Sequence, residues 1–462
     1  MRAADLTAAT PGTRDRYVDL LRVASLGTVV LGHWLMAAVT RGDDGRVEVG
    51  NLLAVQPGLQ VLTWALQVMP VFFYVGGFSH ALSYRSLRRR TADTHLYSAF
   101  LRARLQRLLR PTVVFIGVWG AAALVLQLAG DAHGLLDVSL RLVAQPLWFI
   151  GIYLAMVAFT PPLLKLHERW GSPRSNGVGT GGGWGVFGVL VAGAVSVDVL
   201  RFAFGVPYVE FLNFAFVWLA IHQLGFLRAD GRLTKPYVLA AAGLAGAALL
   251  VAYGPYPLSM VGMPGERISN MAPPTLALLC HGLWLVGAVE LLRAPAARWL
   301  ERPRVWRAVV VANGISMTAF LWHLSAMLGV YGALLALDVP LPEPATGPWW
   351  AQVPVRIALA AALTAVLVAA FRSFERPAGK PDMSATEGSP RRSGAYSGPA
   401  AALGVTLALL GVLGLSMVGF GGLLEGRTAL LIAVHVTAPA AVGMTLVGWL
   451  LVERVGVHAP VN

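Results

Sequence analysis

Arg22 and His33 both lie in the first apolar run of the chain, LLRVASLGTVVLGHW (residues 20–34). Eleven residues make about three helical turns, so the two side chains fall within about 20° of one helix face and about 16 Å apart along the axis. An ionisable group inside a membrane is costly and ordinarily faces a cavity or a partner. Taken singly, each has a plain reading: Arg22 as one more topological charge, His33 as a neutral ring bonded to a neighbouring helix. Taken together they suggest a cation that anchors and an imidazole that moves protons. Imidazole titrates near neutrality, so it takes a proton from a hydroxyl and returns it to a leaving group. It can also carry a transferred group itself. Asp19, one turn before Arg22, either holds the guanidinium or is an ordinary interfacial acid.

The elements that must position these groups follow from composition. Of 462 residues 56% are apolar and 13% charged, about half the charge of a soluble domain, which places the chain in lipid. A spanning helix needs about 20 mostly apolar residues. Such windows recur near 20–39, 59–82, 111–130, 143–164, 184–200, 207–226, 237–253, 272–292, 309–331, 352–371, 399–420 and 428–451. With both termini in the cytoplasm, 29 of the 36 Lys and Arg fall on the inner side and 7 outside, as the positive-inside rule requires. That asymmetry accounts for the net charge of +13 with no nucleic acid as partner. The lone cysteine, Cys280, rules out an intrachain disulfide. The first window is too long for a signal's apolar region and is read as an uncleaved first helix.

One stretch, RPAGKPDMSATEGSPRRSGAYSGP (376–399), has the Pro, Gly, Ser and charge of a flexible tether. The expected organisation is a ten-helix core (1–377), a cytoplasmic linker (378–398) and an accessory helix pair with a short tail (399–462). The fold class expected is all-α, a multi-pass protein of the cell membrane. No phosphate loop, HExxH, CxxC or nucleophile elbow is present, and no metal is expected.

With Asp19 in DLLR, the Arg-x10-His spacing resembles the first helix of the membrane acyltransferase family known as acyltransferase type 3. MPVFFYVGGFSHAL (69–82) is similar to that family's second-helix signature, with Gly76-Gly77-Phe78 where the family commonly has Ser-Gly-Phe. RARLQRLLRP (102–111) resembles its cytoplasmic Arg-x-x-Arg at Arg104 and Arg107. PLWFIGIYL (146–154), ISMTAFLWH (315–323) and FERP (374–377) resemble later motifs. The resemblance spans roughly 16 to 377, and YPLSMVGMPG with SNMAPPT suggests an actinobacterial-type subgroup.

The resemblance implies an O-acyltransferase that takes an acyl group, with acetyl expected, from cytoplasmic acyl-coenzyme A to a hydroxyl of a glycan, lipid or secondary metabolite. His33, Arg22 and Asp19 would be its catalytic set. Arg104 and Arg107 share a helix face at i, i+3, and guanidinium forks suit the phosphates of coenzyme A, whereas Arg88 and Arg89 read as topological charge. Ser269 and Asn270, in the Pro- and Gly-rich stretch 253–275, are acceptor-site candidates together with His323 and Trp148. Asp198 and Arg201 read as a simple ion pair. The competing class is a transporter with His33 as proton relay and Arg22 as substrate anchor. The Arg104/Arg107 segment and the absence of a visible helix repeat weigh against it.

Overall fold

The computed structural model describes residues 15–41, 47–91, 93–130, 135–171, 183–263, 265–375, 397–424, 426–431 and 434–455. The chain is all-α with two small β-hairpins. Its longer helices are α1 (Arg16–Met36), α2 (Met69–Arg88), α3 (Asp93–Ala129), α4 (Leu135–Leu142), α5 (Leu147–Gly171), α6 (Trp184–Phe202), α7 (Asn213–Ala229) and α8 (Pro236–Tyr253). There follow α9 (Leu276–Leu291), α10 (Arg293–Leu300), α11 (Pro303–Asn313), α12 (Ser316–Ala336), α13 (Gly347–Phe371), α14 (Ser397–Val418) and α15 (Ala438–Val455). Among the described residues ten helical segments are long and apolar enough to cross a membrane. An eleventh counts if α9 and α10, bent by 50° at their junction, form one broken span. The protein is therefore a multi-pass membrane protein, as its composition requires.

Two of the expected windows run into strands. Helix α1 stops at Met36, and Ala37–Arg41 (β1) pairs antiparallel with Val47–Asn51 (β2), Ala37 opposite Asn51. His33 therefore sits in the last turn of α1, rather than six residues inside the end of the expected 20–39 window. The window at 428–451 opens with a second hairpin, Thr428–Leu431 (β3) against Val434–Thr437 (β4), and becomes helical only from Ala438. Hydropathy averages cannot separate these strands from helix. Val39, Thr40, Val434 and Val436 are β-branched and suit a pleated surface, and Pro439 fits the first turn of α15, where a missing N–H is harmless. The segment expected as a linker, 378–398, lies outside the described residues except for Ser397 and Gly398, which open α14.

The described chain packs as two units: Met1–Ala81, Pro162–Ser316 and Met327–Ala362 in the first, Leu82–Pro161, Met317–Ala326 and Leu363–Asn462 in the second. In the first unit α1 is tied at both ends. Asp15 caps it by accepting from the N–H groups of Tyr17 (3.0 Å) and Val18 (3.3 Å). The buried Arg228 of α7 donates to the same carboxylate at 2.9 Å, pairs with Glu290 of α9 at 3.1 Å and lies 4.4 Å over the Phe78 ring. At the other end the Tyr331 hydroxyl donates to the carbonyl of Ala37 at 3.0 Å, and Arg356 donates to that hydroxyl at 2.7 Å. Helices α2 and α7 meet through glycine, because a Cβ on Gly77 would stand 2.0 Å from the carbonyl oxygen of His222. Without a hydrophobic force between helices in lipid, such close approach and buried polar ties set the packing.

In the second unit α3 is one continuous helix of 37 residues, so the arginine-rich stretch and the following span share an axis. Helices α14 and α15 pack on each other and on α3.

Candidate active site

The first unit assembles a polar group around the lower half of α1. Arg22 donates from Nη1 to Asp19 Oδ1 at 3.4 Å and from Nη2 to the Ser79 hydroxyl of α2 at 3.2 Å. Asn313, at the end of α11, donates from Nδ2 to the same Asp19 oxygen at 3.3 Å. Asp19 is buried, with 6% of its side chain exposed, whereas Arg22 keeps 28%. A buried carboxylate between two donors fixes the guanidinium in position, and the exposed remainder leaves N–H groups for a ligand. The i, i+3 spacing of Asp19 and Arg22 makes this possible on one helix face. His33 is half-buried three turns further on, in the last turn of the same helix.

Ser79 and Asn313 were not among the candidates read from the sequence. The departure at Gly76 drew attention to a missing hydroxyl. Ser79 lies three residues on, close to one turn away on the same side of α2, and its hydroxyl reaches Arg22. A helical projection around Gly76 would have found it. Asn313 had no local signal, since it arrives from a helix about 290 residues away.

The second unit holds Arg104, Arg107, Trp148 and His323. On α3 Arg107 is exposed and Arg104 half-buried, one turn apart as expected. The charge of Arg107 acts on Glu375. That carboxylate accepts from the N–H groups of Met317 (3.2 Å) and Thr318 (3.1 Å) and from the Thr318 hydroxyl (2.6 Å), capping α12. ISMTAFLWH and the described half of FERP, Phe374 and Glu375, are thus joined. Arg376 and Pro377 lie outside the described residues. Pro111 has no N–H to offer the Arg107 carbonyl, so the helix is weakest just past the arginines. His323 is fully buried and bonds through Nδ1 to the carbonyl of Phe320 on its own helix. Trp148 is half-buried, its ring edge-on to Phe149 at 6.4 Å.

Ser269 and Asn270, in the first unit, are engaged inside their own loop. Asn270 donates to the carbonyls of Pro257 (2.7 Å) and Ser259 (2.9 Å), and its Oδ1 accepts from Thr275 at 2.8 Å. The Ser269 hydroxyl accepts from the N–H groups of Met271 and Ala272. Asp198 does more than face the charge of Arg201. Its buried carboxylate accepts from Asn213 (2.8 Å), the Tyr256 hydroxyl (2.9 Å) and the N–H of Leu276 (2.8 Å), so it anchors both ends of the loop. Burial, and then the adjoining Asp198 carboxylate, push the Tyr256 phenol upward, which keeps it a donor.

Among the described residues no group of three or more His, Cys, Asp or Glu could hold a metal ion. The sequence model of the acyltransferase type 3 family, described as an acyltransferase domain, matches residues 15–374. No curated protein and no solved structure matches the chain.

Proposed function

Because the chain belongs to the acyltransferase type 3 family of membrane acyltransferases, we propose that it moves an acyl group, acetyl in the first instance, from acyl-coenzyme A to a hydroxyl of a glycan, lipid or secondary metabolite. Membership makes the protein an enzyme, and the transporter reading is set aside. The orientation that goes with the proposal has both termini in the cytoplasm, 29 of the 36 Lys and Arg on that side, and coenzyme A arriving there.

The observation that carries the reading is α1. It presents a guanidinium held by Asp19 and Ser79, yet still part-exposed, three turns from an imidazole. In the proposed reaction His33 takes the proton of the acceptor hydroxyl as its oxygen attacks the thioester carbonyl. The carbon–sulfur bond breaks, the proton passes to the leaving thiolate, and free coenzyme A and an ester result. Arg22 supplies a fixed positive charge to the anionic oxygen or to the donor. In a two-step variant the acyl group rests on the His33 nitrogen before the hydroxyl takes it. Arg104 and Arg107 bind the phosphates of coenzyme A. Trp148 and His323, and separately Ser269 and Asn270, are the acceptor-site candidates of this reading.

The test is purified protein with acetyl-coenzyme A labelled in the acetyl group, scored for thioester hydrolysis and for transfer. Consumption of the donor that His33→Ala abolishes is the expected result. Label retained on the quenched protein selects the two-step route. A folded protein that neither hydrolyses nor binds the thioester overturns the donor assignment.

A further inference from the structure

The family match ends at residue 374, yet α14 and α15, beyond that point, hold the helix that carries Arg104 and Arg107. Two separate ties fasten them to α3. Near its arginine-rich end Arg110 donates from both Nε (3.2 Å) and Nη2 to one oxygen of Glu453, in the last turn of α15. Seventeen residues away, about 26 Å along the axis, the Gln127 amide donates to the carbonyls of Phe420 and Gly421, and its oxygen accepts from the N–H of Leu424 at 3.0 Å. Between these ties Phe115 and Phe420 meet edge-on at 6.3 Å, and Leu413 packs where a Cβ on Gly151 would stand.

The ion pair has a directional consequence. Successive α-helical residues are about 100° apart, so Arg107 lies about 60° and Arg104 about 120° around α3 from Arg110. Anchoring Arg110 on α15 fixes the rotation of α3, which sets Arg107 and Arg104 at these angles from the terminal helix. Helices in lipid are not pressed together by the hydrophobic effect, so a polar tie of this kind sets rotation more than it would in water. Pro111 makes the tie matter further, because the backbone ladder is interrupted directly beside it.

We propose that Glu453 is a positioning residue for the acyl donor: through Arg110 it holds Arg104 and Arg107 in the rotation that meets the phosphates of coenzyme A. The inference rests on the reading of those two arginines as the donor site. The terminal pair is then a brace that this chain adds to the family's catalytic unit.

The experiment measures kcat and KM for acetyl-coenzyme A in the full-length purified protein. Glu453→Gln and Glu453→Leu are expected to raise KM about three- to tenfold with kcat little changed. The exchange Arg110→Glu with Glu453→Arg is expected to bring KM back toward the parent value, which a loss of general packing would not do. Should Glu453→Leu fail to reach the membrane, the isosteric Glu453→Gln carries the test. Arg107→Gln in the same assay separates the two ideas. If it leaves KM unchanged, the donor-site reading fails. If it raises KM while both Glu453 variants stay at the parent value, the brace is refuted and the donor site stands.

Discussion

Two polar clusters in the first unit use similar side chains for opposite ends. Around Asp198 and Asn270 most of the polar capacity is used: the Asp198 carboxylate, the Asn270 amide, the Tyr256 phenol and the Leu276 N–H all find partners, and among the described residues the Asn213 amide oxygen does not. Around Arg22 a guanidinium with five N–H donors bonds, among the described residues, to Asp19 and Ser79, and keeps more than a quarter of its side chain exposed. A knot of mutually bonded groups of this kind chiefly lowers the energy of one arrangement. An incompletely filled cation on a fixed mount is prepared for something that arrives later. The first cluster should therefore govern stability and the second turnover.

The largest expected effect is on the reactive side. His33→Ala should lower turnover on the order of 10²- to 10⁴-fold while the protein inserts and melts like its parent, since alanine suits a helix. Near-parental turnover in purified His33→Ala would remove the imidazole from the mechanism. Next comes the Asp198 side. Asp198→Ala leaves two side-chain donors and the Leu276 N–H without an acceptor and should cost about 3 kcal/mol of stability, read as an earlier thermal transition in detergent. The turnover of each folded molecule should be unaffected, and a variant that melts normally but is inactive would erase the contrast between the clusters.

Arg22→Gln keeps some hydrogen bonding and loses the charge, so kcat/KM for the acetyl donor should fall about 10- to 100-fold with little change in melting. A drop in stability matching that of Asp198→Ala would make Arg22 a structural tie instead. The smallest effect belongs to Ser79→Ala, a few-fold loss in kcat, because Asp19 still holds the part-exposed guanidinium when the 3.2 Å bond to Ser79 is gone. Restoration by Ser79→Thr, which returns the hydroxyl, would sharpen the assignment, and no change in either variant would show that Asp19 and Asn313 suffice.

Much of this was legible in the sequence because it depends on local spacing. Membrane residence follows from composition, the shared face of Arg22 and His33 from eleven residues of helix, and the Asp19–Arg22 pair from i, i+3 geometry. The hairpins at Ala37–Asn51 and Thr428–Thr437 were not legible, since a hydropathy window scores a β-branched apolar run and a helix end alike. Glu375 was visible as part of a motif, but its partners Met317 and Thr318 were not.

By itself, the sequence determined what the backbone period and the cost of charge in lipid dictate: helices, their polarity, and which cations stand on one face. The tertiary structure decided which distant groups meet them. Asn313 reaches Asp19 from about 290 residues away, Ser79 stands in at Arg22 near a glycine, and Glu453 grips Arg110 from outside the family's span. These are pairings between helices, set by rotation and close approach within each unit, and no one-dimensional period encodes either of those.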